Sequence, residues 1–257
     1  MELGINDYMI YLLVSCRITG VIFFNPIFGR RNIPGIVKVG LSMGIALCAV
    51  QNLLDVSAVQ YSTLEVLLVL FKEFAVGFAM GFIVQLFLAI FHIGGGIMDL
   101  QMGLGMASLY DPTTNSQISI IGNIITTMYT LLFFITNSHM RLLGIGIKSF
   151  DAIPIGLEPI SPKFGIHMLE LFGYILAYAV QLALPIIVTQ FIVEVAVGIL
   201  MRVVPNINVF VVNLQVKLGV GVIVILAVIP ILVKHLEKLN GIMLNNIQTG
   251  LMVLGGR

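Results

Sequence analysis

The sequence predicts an all-α, polytopic helical membrane protein, and three observations carry that prediction. Of its 257 residues 59% are hydrophobic and only 10% charged, with a mean hydropathy of +1.09, whereas about a quarter of the residues of a soluble domain are charged. Six apolar runs follow one another along the chain, and a membrane helix requires about 20 predominantly apolar residues. Glycines recur four apart in Gly40-x-x-x-Gly44 and Gly77-x-x-x-Gly81, a spacing that sets both on one helix face and lets a neighbouring helix approach closely.

The runs differ in reach. Tyr8 to Phe28 suffices for one crossing, and Ile36 to Val50 is too short to span comfortably. Val66 to Ile93 and Met168 to Leu200 would extend about 42 and 50 Å as continuous helices, beyond a hydrocarbon core of about 30 Å even with ordinary tilt. Pro185 removes a backbone donor and predicts a kink that divides the second of these into two pieces. Ile118 to Ile135 and Ile207 to Val233 complete the set. Beyond Val233, Leu236, Leu239, Met243, Ile247 and Leu251 recur every three or four residues, the pattern of an amphipathic tail helix that lies on a membrane surface or docks on a partner.

Between the third and fourth runs stand Gly94-Gly95-Gly96 and then LQMGLGMASLYDPTTNSQ, Leu100 to Gln117. Three consecutive glycines predict an interruption of the helix. Met98, Met102 and Met106 would share one face if helical geometry persists past them, and methionine repacks against changing surfaces better than branched residues do, although such a stripe is most often core filling. Asp111-Pro112 marks a turn, and the run from Thr113 to Ser116 supplies a cap for a helix beginning near Gln117. The segment reads as a folded-back loop with an adaptable apolar surface, given backbone freedom by Gly94, Gly95, Gly96, Gly103 and Gly105.

Seven charges interrupt the apolar runs: Arg17, Lys38, Lys72, Glu73, Glu170, Glu194 and Lys217. An unpaired Arg near the middle of a membrane helix costs about 2.5 to 3.5 kcal/mol on insertion scales, so Arg17 requires a counter-charge, protein or water, with Glu73 and Glu194 as the candidate partners. These charges form either buried ion pairs that fix helix register or a proton relay; the first fits better, since no inverted repeat or broken half-helix is visible.

The net charge of +1 and the absence of a basic face give no reason to expect a nucleic-acid partner. His92, His139, His167 and His235 are too scattered for a zinc pattern, and neither a phosphate-binding loop nor a nucleophile elbow occurs. No enzymatic activity, metal or cofactor is expected. Cys16 and Cys48 fall within apolar runs and read as small core residues. If all six runs cross, Arg141, Lys148, Lys163, Lys234, Lys238 and Arg257 share one side, and Arg30, Arg31 and Arg202 the other. The total and the first loop then point in opposite directions, leaving orientation open.

The stretches RITGVIFFNPIFGRRNIPGIVKVGLS (Arg17 to Ser42), KEFAVGFAMGF (Lys72 to Phe82), QMGLGMASLYDP (Gln101 to Pro112), NSHMRLLGIGIKSFDAIPIG (Asn137 to Gly156) and LPIIVTQFIVEVAVGILMRVVPNINVFVVNLQVKLGVGV (Leu184 to Val222) follow one another along the chain. Their order and spacing give the whole chain a resemblance to a known family, the FliR/SctT family of flagellar and virulence type III secretion export-gate subunits. It implies a single-copy, non-enzymatic subunit of an export gate in the bacterial inner membrane at the flagellar basal body. FliP and FliQ would be its partners in the gate, FlhB and FlhA its further neighbours, and unfolded flagellar proteins its cargo. It also implies one export-gate domain in which residues 1–165 are FliP-like and 166–257 form a FliQ-like helical hairpin with the amphipathic tail.

By position in the family, Leu104 to Gln117 would plug the pore, with Leu104, Met106, Leu109, Tyr110, Asp111 and Pro112 in the plug. Relatives can carry bulkier aromatic residues where this chain has Met106 and Leu109. The rival reading is a stand-alone proton- or ion-coupled solute transporter that uses the charges within its helices.

Overall fold

The structure, a computed structural model, describes residues 5–50, 62–105, 119–156, 161–204 and 209–256. Among them stand seven α-helices and no strand: α1 (Ile5–Phe23), α2 (Gly35–Val50), α3 (Thr63–Gln101), α4 (Ile120–Ile135), α5 (Ser138–Ala152), α6 (Lys163–Val203) and α7 (Val209–Leu254). Three of them, α3, α6 and α7, are long and apolar enough to cross a membrane, and α4 with α5 makes a fourth if that bent pair is one span. The chain is an all-α membrane protein. It divides into two compact units, one of Met1–Phe87, Thr136–Leu171 and Gly241–Arg257, the other of Leu88–Ile135 and Phe172–Asn240.

In the first unit, Val14, Ile18 and Ile22 of α1 pack with Ala46, Ala49 and Val50 of α2 and with Phe150 of α5. Helix α1 stops at Phe23 because Pro26 disfavours helical geometry at the residue before it. That residue, Asn25, turns the chain by accepting the Ile27 N–H through its side-chain oxygen at 2.8 Å. At the start of α3, Glu65 reaches back to accept the Ser62 N–H at 2.7 Å, one half of a capping box. Helices α1 and α3 then cross at glycines. A Cβ at Gly20 would lie 2.8 Å from the Phe74 carbonyl, one at Gly77 would overlap the Arg17 carbonyl, and one at Gly81 would lie 2.9 Å from Phe24.

In the second unit, Phe91 of α3 stacks obliquely on Tyr129 of α4, with ring centroids 4.7 Å apart, and the Tyr129 hydroxyl donates to Asn240 of α7 at 3.3 Å. Glycine again sets the closest approaches. A Cβ at Gly94 would come within 2.8 Å of the Ala179 carbonyl on α6, and one at Gly95 would overlap Gly122 of α4.

Several expectations are corrected. The triple glycine does not interrupt α3, which runs on to Gln101; Gly94 and Gly95 sit in tight contacts between helices, whose packing outweighs the intrinsic cost of glycine in a helix of about 1 kcal/mol each. Gly40 and Gly44 share the spacing of Gly77 and Gly81, yet nothing lies within 4 Å of where their Cβ atoms would be, so the expected close packing is not formed among the described residues. Pro185 lies inside one unbroken α6. The tail is no separate helix but the continuation of α7, and its apolar residues Leu236, Leu239, Met243, Ile247 and Leu251 are all buried. Helix α5 lies outside the six apolar runs; its inner face buries Leu142, Ile145 and Phe150. Cys48 is exposed rather than core.

Candidate functional site

The described residues at both ends of the connector between α3 and α4 form one site in the second unit. Helix α3 ends in a Schellman motif: the Gly103 N–H bonds the Leu100 carbonyl at 3.2 Å and the Leu104 N–H bonds the Asp99 carbonyl at 2.9 Å. The left-handed residue that this stop requires is Gly103, at φ 78°, where only glycine avoids steric cost. Helix α4 starts with Ser119 as N-cap, its side chain accepting the Gly122 N–H at 2.8 Å and its carbonyl the Asn123 N–H at 3.1 Å.

Asp99 joins the two ends. Its carboxylate accepts the N–H of Ile121, in the first turn of α4, at 3.2 Å. The residue is only 7% exposed, and the unpaired donors at a helix N-terminus suit a carboxylate there. Met98 faces an apolar cleft that also involves Ile121, Pro185 and Ile229. Met102 is buried against Gly221 of α7, where a Cβ would come within 2.6 Å of it.

Of the residues expected in the plug, Leu104 is half-buried at the end of the α3 stop. Met106, Leu109, Tyr110, Asp111 and Pro112 lie outside the described residues. Among the expected hinge glycines, Gly94 and Gly95 are held between helices, Gly96 has nothing within 4 Å of a Cβ, Gly103 forms the helix stop, and a Cβ on Gly105 would lie 3.1 Å from Leu100. Asp99 was missed in the sequence, although it is a carboxylate between apolar residues just beyond the third run.

The charges sort into separate groups. In the first unit Arg17 and Glu73 are both fully buried and paired, with Arg17 Nε donating to Glu73 Oε2 at 2.5 Å. The same guanidinium donates to Ser149 Oγ at 3.1 Å and to the Ile153 carbonyl at 2.9 Å, and it lies 3.9 Å from the centre of the Phe150 ring. The partner of Arg17 is thus Glu73, which stands one turn from the Gly20 and Gly77 crossing and gains its reach from that close approach. Lys72 is only half-buried and donates to the Gly156 carbonyl at 2.8 Å. In the second unit Glu194 pairs with Lys217, with side chains 50% and 15% exposed, so within the chain Glu194 is not the buried charge that was expected.

Residues 8–242 match the family described as bacterial export proteins, family 1. The chain is 32% identical over 246 residues to the flagellar biosynthetic protein FliR of Bacillus subtilis (strain 168), spanning 91% of this chain and 93% of that protein. It is 29% identical to FliR of Escherichia coli (strain K12), over 90% of this chain and 88% of that one. The Yop proteins translocation protein T of Yersinia pestis is 23% identical over 89% and 88%. The chain belongs to the bacterial export proteins, family 1, with flagellar FliR proteins among its relatives.

Proposed function

We propose that this chain is a non-enzymatic core subunit of the flagellar type III protein export gate. In one copy, with FliP and FliQ, it would form the channel through which unfolded flagellar proteins cross the bacterial inner membrane at the basal body, next to FlhB and FlhA. The names of its relatives, flagellar biosynthetic protein and Yop proteins translocation protein, support a role in moving protein out of the cell. Residues 1–165 would act as the FliP-like part, and 166–257 as the FliQ-like hairpin with its tail. In support, only 22% and 11% of the most apolar windows of α6 and α7 are buried within the chain, which leaves those helices to be covered by lipid or by partner subunits.

In this reading Leu104 to Gln117 is the plug, with Met106, Leu109 and Tyr110 toward the lumen. The observation that carries it is the junction at Asp99: the connector leaves α3 and returns to α4 at one fixed place, as a flap needs that moves without its supporting helices. The plug keeps ions from leaking and yields when a substrate chain occupies the pore, a change of segment position biased by the ligand. Deleting Gly105 to Asn115 is expected to raise the ion conductance of the gate assembled with FliP and FliQ while leaving its yield intact. An intact complex of unchanged conductance rejects the plug. A chain that transports solute alone, without FliP and FliQ, rejects the gate.

A further inference from the structure

Within the second unit, Gln190 of α6 donates to the Lys217 carbonyl of α7 at 2.8 Å, and the Lys217 ammonium pairs with Glu194. That is one polar level. Leu182, earlier on α6, shares a cleft with Leu232, later on α7, so the two helices run in opposite directions. From Glu194 back to Tyr178 is 16 residues and from Lys217 on to Lys234 is 17, steps of about 24 and 26 Å at 1.5 Å per residue. Both helices thus reach a second polar level together. There the rings of Tyr174 and Tyr178 meet with centroids 4.5 Å apart, and the Tyr174 hydroxyl donates to that of Tyr178 at 2.9 Å. Lys234 and Lys238 are exposed there, and neither has a hydrogen-bond or ion-pair partner among the described residues. Glu237, exposed in the same turn, offsets part of their charge.

Between the two levels α7 carries no polar side chain from Leu218 to Val233, and α6 carries no charge from Ala179 to Val193. A slab of about 25 Å is close to the thickness of a hydrocarbon core, and tyrosine gathers where such a core meets the head groups. The cleft lies inside this slab. Buried Met98 and Ile125 form its floor, and half-buried Leu182, Ile225, Ile229 and Leu232 form its rim. It holds about 540 Å³ of free space, mouth included, within the range of about 300 to 1,000 Å³ usual for ligand clefts. Every lining side chain is apolar. Leu182 stands one turn from Tyr178 and Leu232 two residues before Lys234, so the cleft ends where the polar level begins.

We propose that this cleft holds one anionic phospholipid, with an acyl chain along its apolar walls and the phosphate at Lys234 and Lys238. Basic side chains beside a crevice between membrane helices recognise anionic head groups. A lipid supplies its phosphate at the level where the cleft ends. A partner helix in the same place would bury the two lysines unless it brought carboxylates to meet them, and an uncompensated buried charge is costly. The inference rests on the chain lying in a membrane and not on the gate reading.

The test places the full chain in phosphatidylcholine vesicles with a minor fraction of phosphatidylglycerol that carries a photoreactive diazirine in its acyl chain, and maps the labelled residues by peptide mass spectrometry. Labelling is expected at Leu182 to Ile186 and at Ile225 to Leu232. A phosphatidylcholine probe with the same chain is expected to label these stretches at least tenfold less, equivalent to about 1.4 kcal/mol. Lys234→Gln with Lys238→Gln is expected to abolish that preference without changing labelling by the phosphatidylcholine probe, and Lys148→Gln on α5 to preserve it. Ile225→Trp, which fills the cleft, is expected to remove labelling there by both probes. Should that variant not be recovered folded, Val228→Phe takes its place with the same expected loss.

Equal labelling of the cleft by the two probes, or a preference that survives the double lysine variant, overturns the inference. Labelling spread evenly over the exposed faces of α6 and α7 means ordinary surrounding lipid only, and overturns it too. Cleft labelling that disappears once the chain is assembled with FliP and FliQ makes a partner helix the occupant, which overturns the inference and leaves the gate standing. A chain that labels as expected but does not assemble with FliP and FliQ upholds the inference and counts against the gate.

Discussion

Replacing Glu73 by leucine strands the Arg17 guanidinium in a site where it is 0% exposed. Breaking a buried pair by removing one partner costs about 3 to 5 kcal/mol, because the remaining charge is left uncompensated. Arg17 keeps its bonds to Ser149 and Ile153 and its place over Phe150, which puts the expected loss at the lower end of that range. The double replacement Arg17→Met with Glu73→Leu is expected to cost less, not more. An apolar pair of similar volume is often neutral or favourable in place of a buried ion pair. Glu73 Oε1 also has no hydrogen-bond partner among the described residues, so the original pair is incompletely satisfied. Ser149 Oγ retains the Gly146 carbonyl at 2.6 Å. Only the Ile153 carbonyl then loses its donor, a penalty of about 1 to 3 kcal/mol. Thermal or denaturant unfolding of the solubilised protein, run as a double-mutant cycle, measures all four corners. A Glu73→Leu loss below about 1 kcal/mol, or a double variant as unstable as the sum of the singles, would refute the reasoning.

The glycines carry further expected outcomes. Gly77→Leu is expected to prevent α1 and α3 from crossing at Gly20 and to abolish recovery of the complex on purification; normal yield would mean that these helices do not meet there. Gly95→Ala is expected to destabilise the protein by more than about 2 kcal/mol through overlap with Gly122. Gly96→Ala meets nothing and gains about 0.5 to 1 kcal/mol of helix propensity, so melting temperatures that fail to separate the two reject the packing assignment. Gly103→Ala must hold a left-handed conformation at a cost of about 1 to 2 kcal/mol, measurable as a lower unfolding midpoint, and a neutral result would show that α3 does not end in the motif described.

Much of the fold was legible because membrane helices are written in long apolar runs, and the positions of α1, α2, α4 and α6 follow those runs to within about five residues, while α3 starts with its run and continues eight residues past it. The misses share one cause, tertiary contact. Gly94 and Gly95 look like breaks when only backbone entropy is weighed, and they become contact points once α6 and α4 lie against α3. Gly40-x-x-x-Gly44 and Gly77-x-x-x-Gly81 are identical as patterns, but among the described residues only the second faces a close neighbour. Helix α5 hides because its charged face dilutes an apolar stripe that is clear once Leu142, Ile145 and Phe150 are aligned. The need of Arg17 for a counter-charge was readable from burial energetics. Its choice of Glu73 over Glu194 depends on the approach of α1 to α3, which no spacing reveals. Asp99 lay in view, but the bond that gives it meaning runs to a backbone N–H, and a backbone donor has no signature in sequence.

These contacts constrain where a plug could pivot. A hinge at Gly94 to Gly96 would require α3 to bend where Gly94 meets the Ala179 carbonyl and Gly95 meets Gly122, and both backbone contacts would have to part together. A hinge at Gly103 would break the Leu100 and Asp99 acceptor bonds that end the helix. A hinge at either place, as the sequence suggests, therefore opposes contacts that the described helices make. Glycine thus serves opposite ends at different positions: at Gly94 and Gly95 it lets the helix run on by letting backbones touch, and at Gly103 it stops the helix.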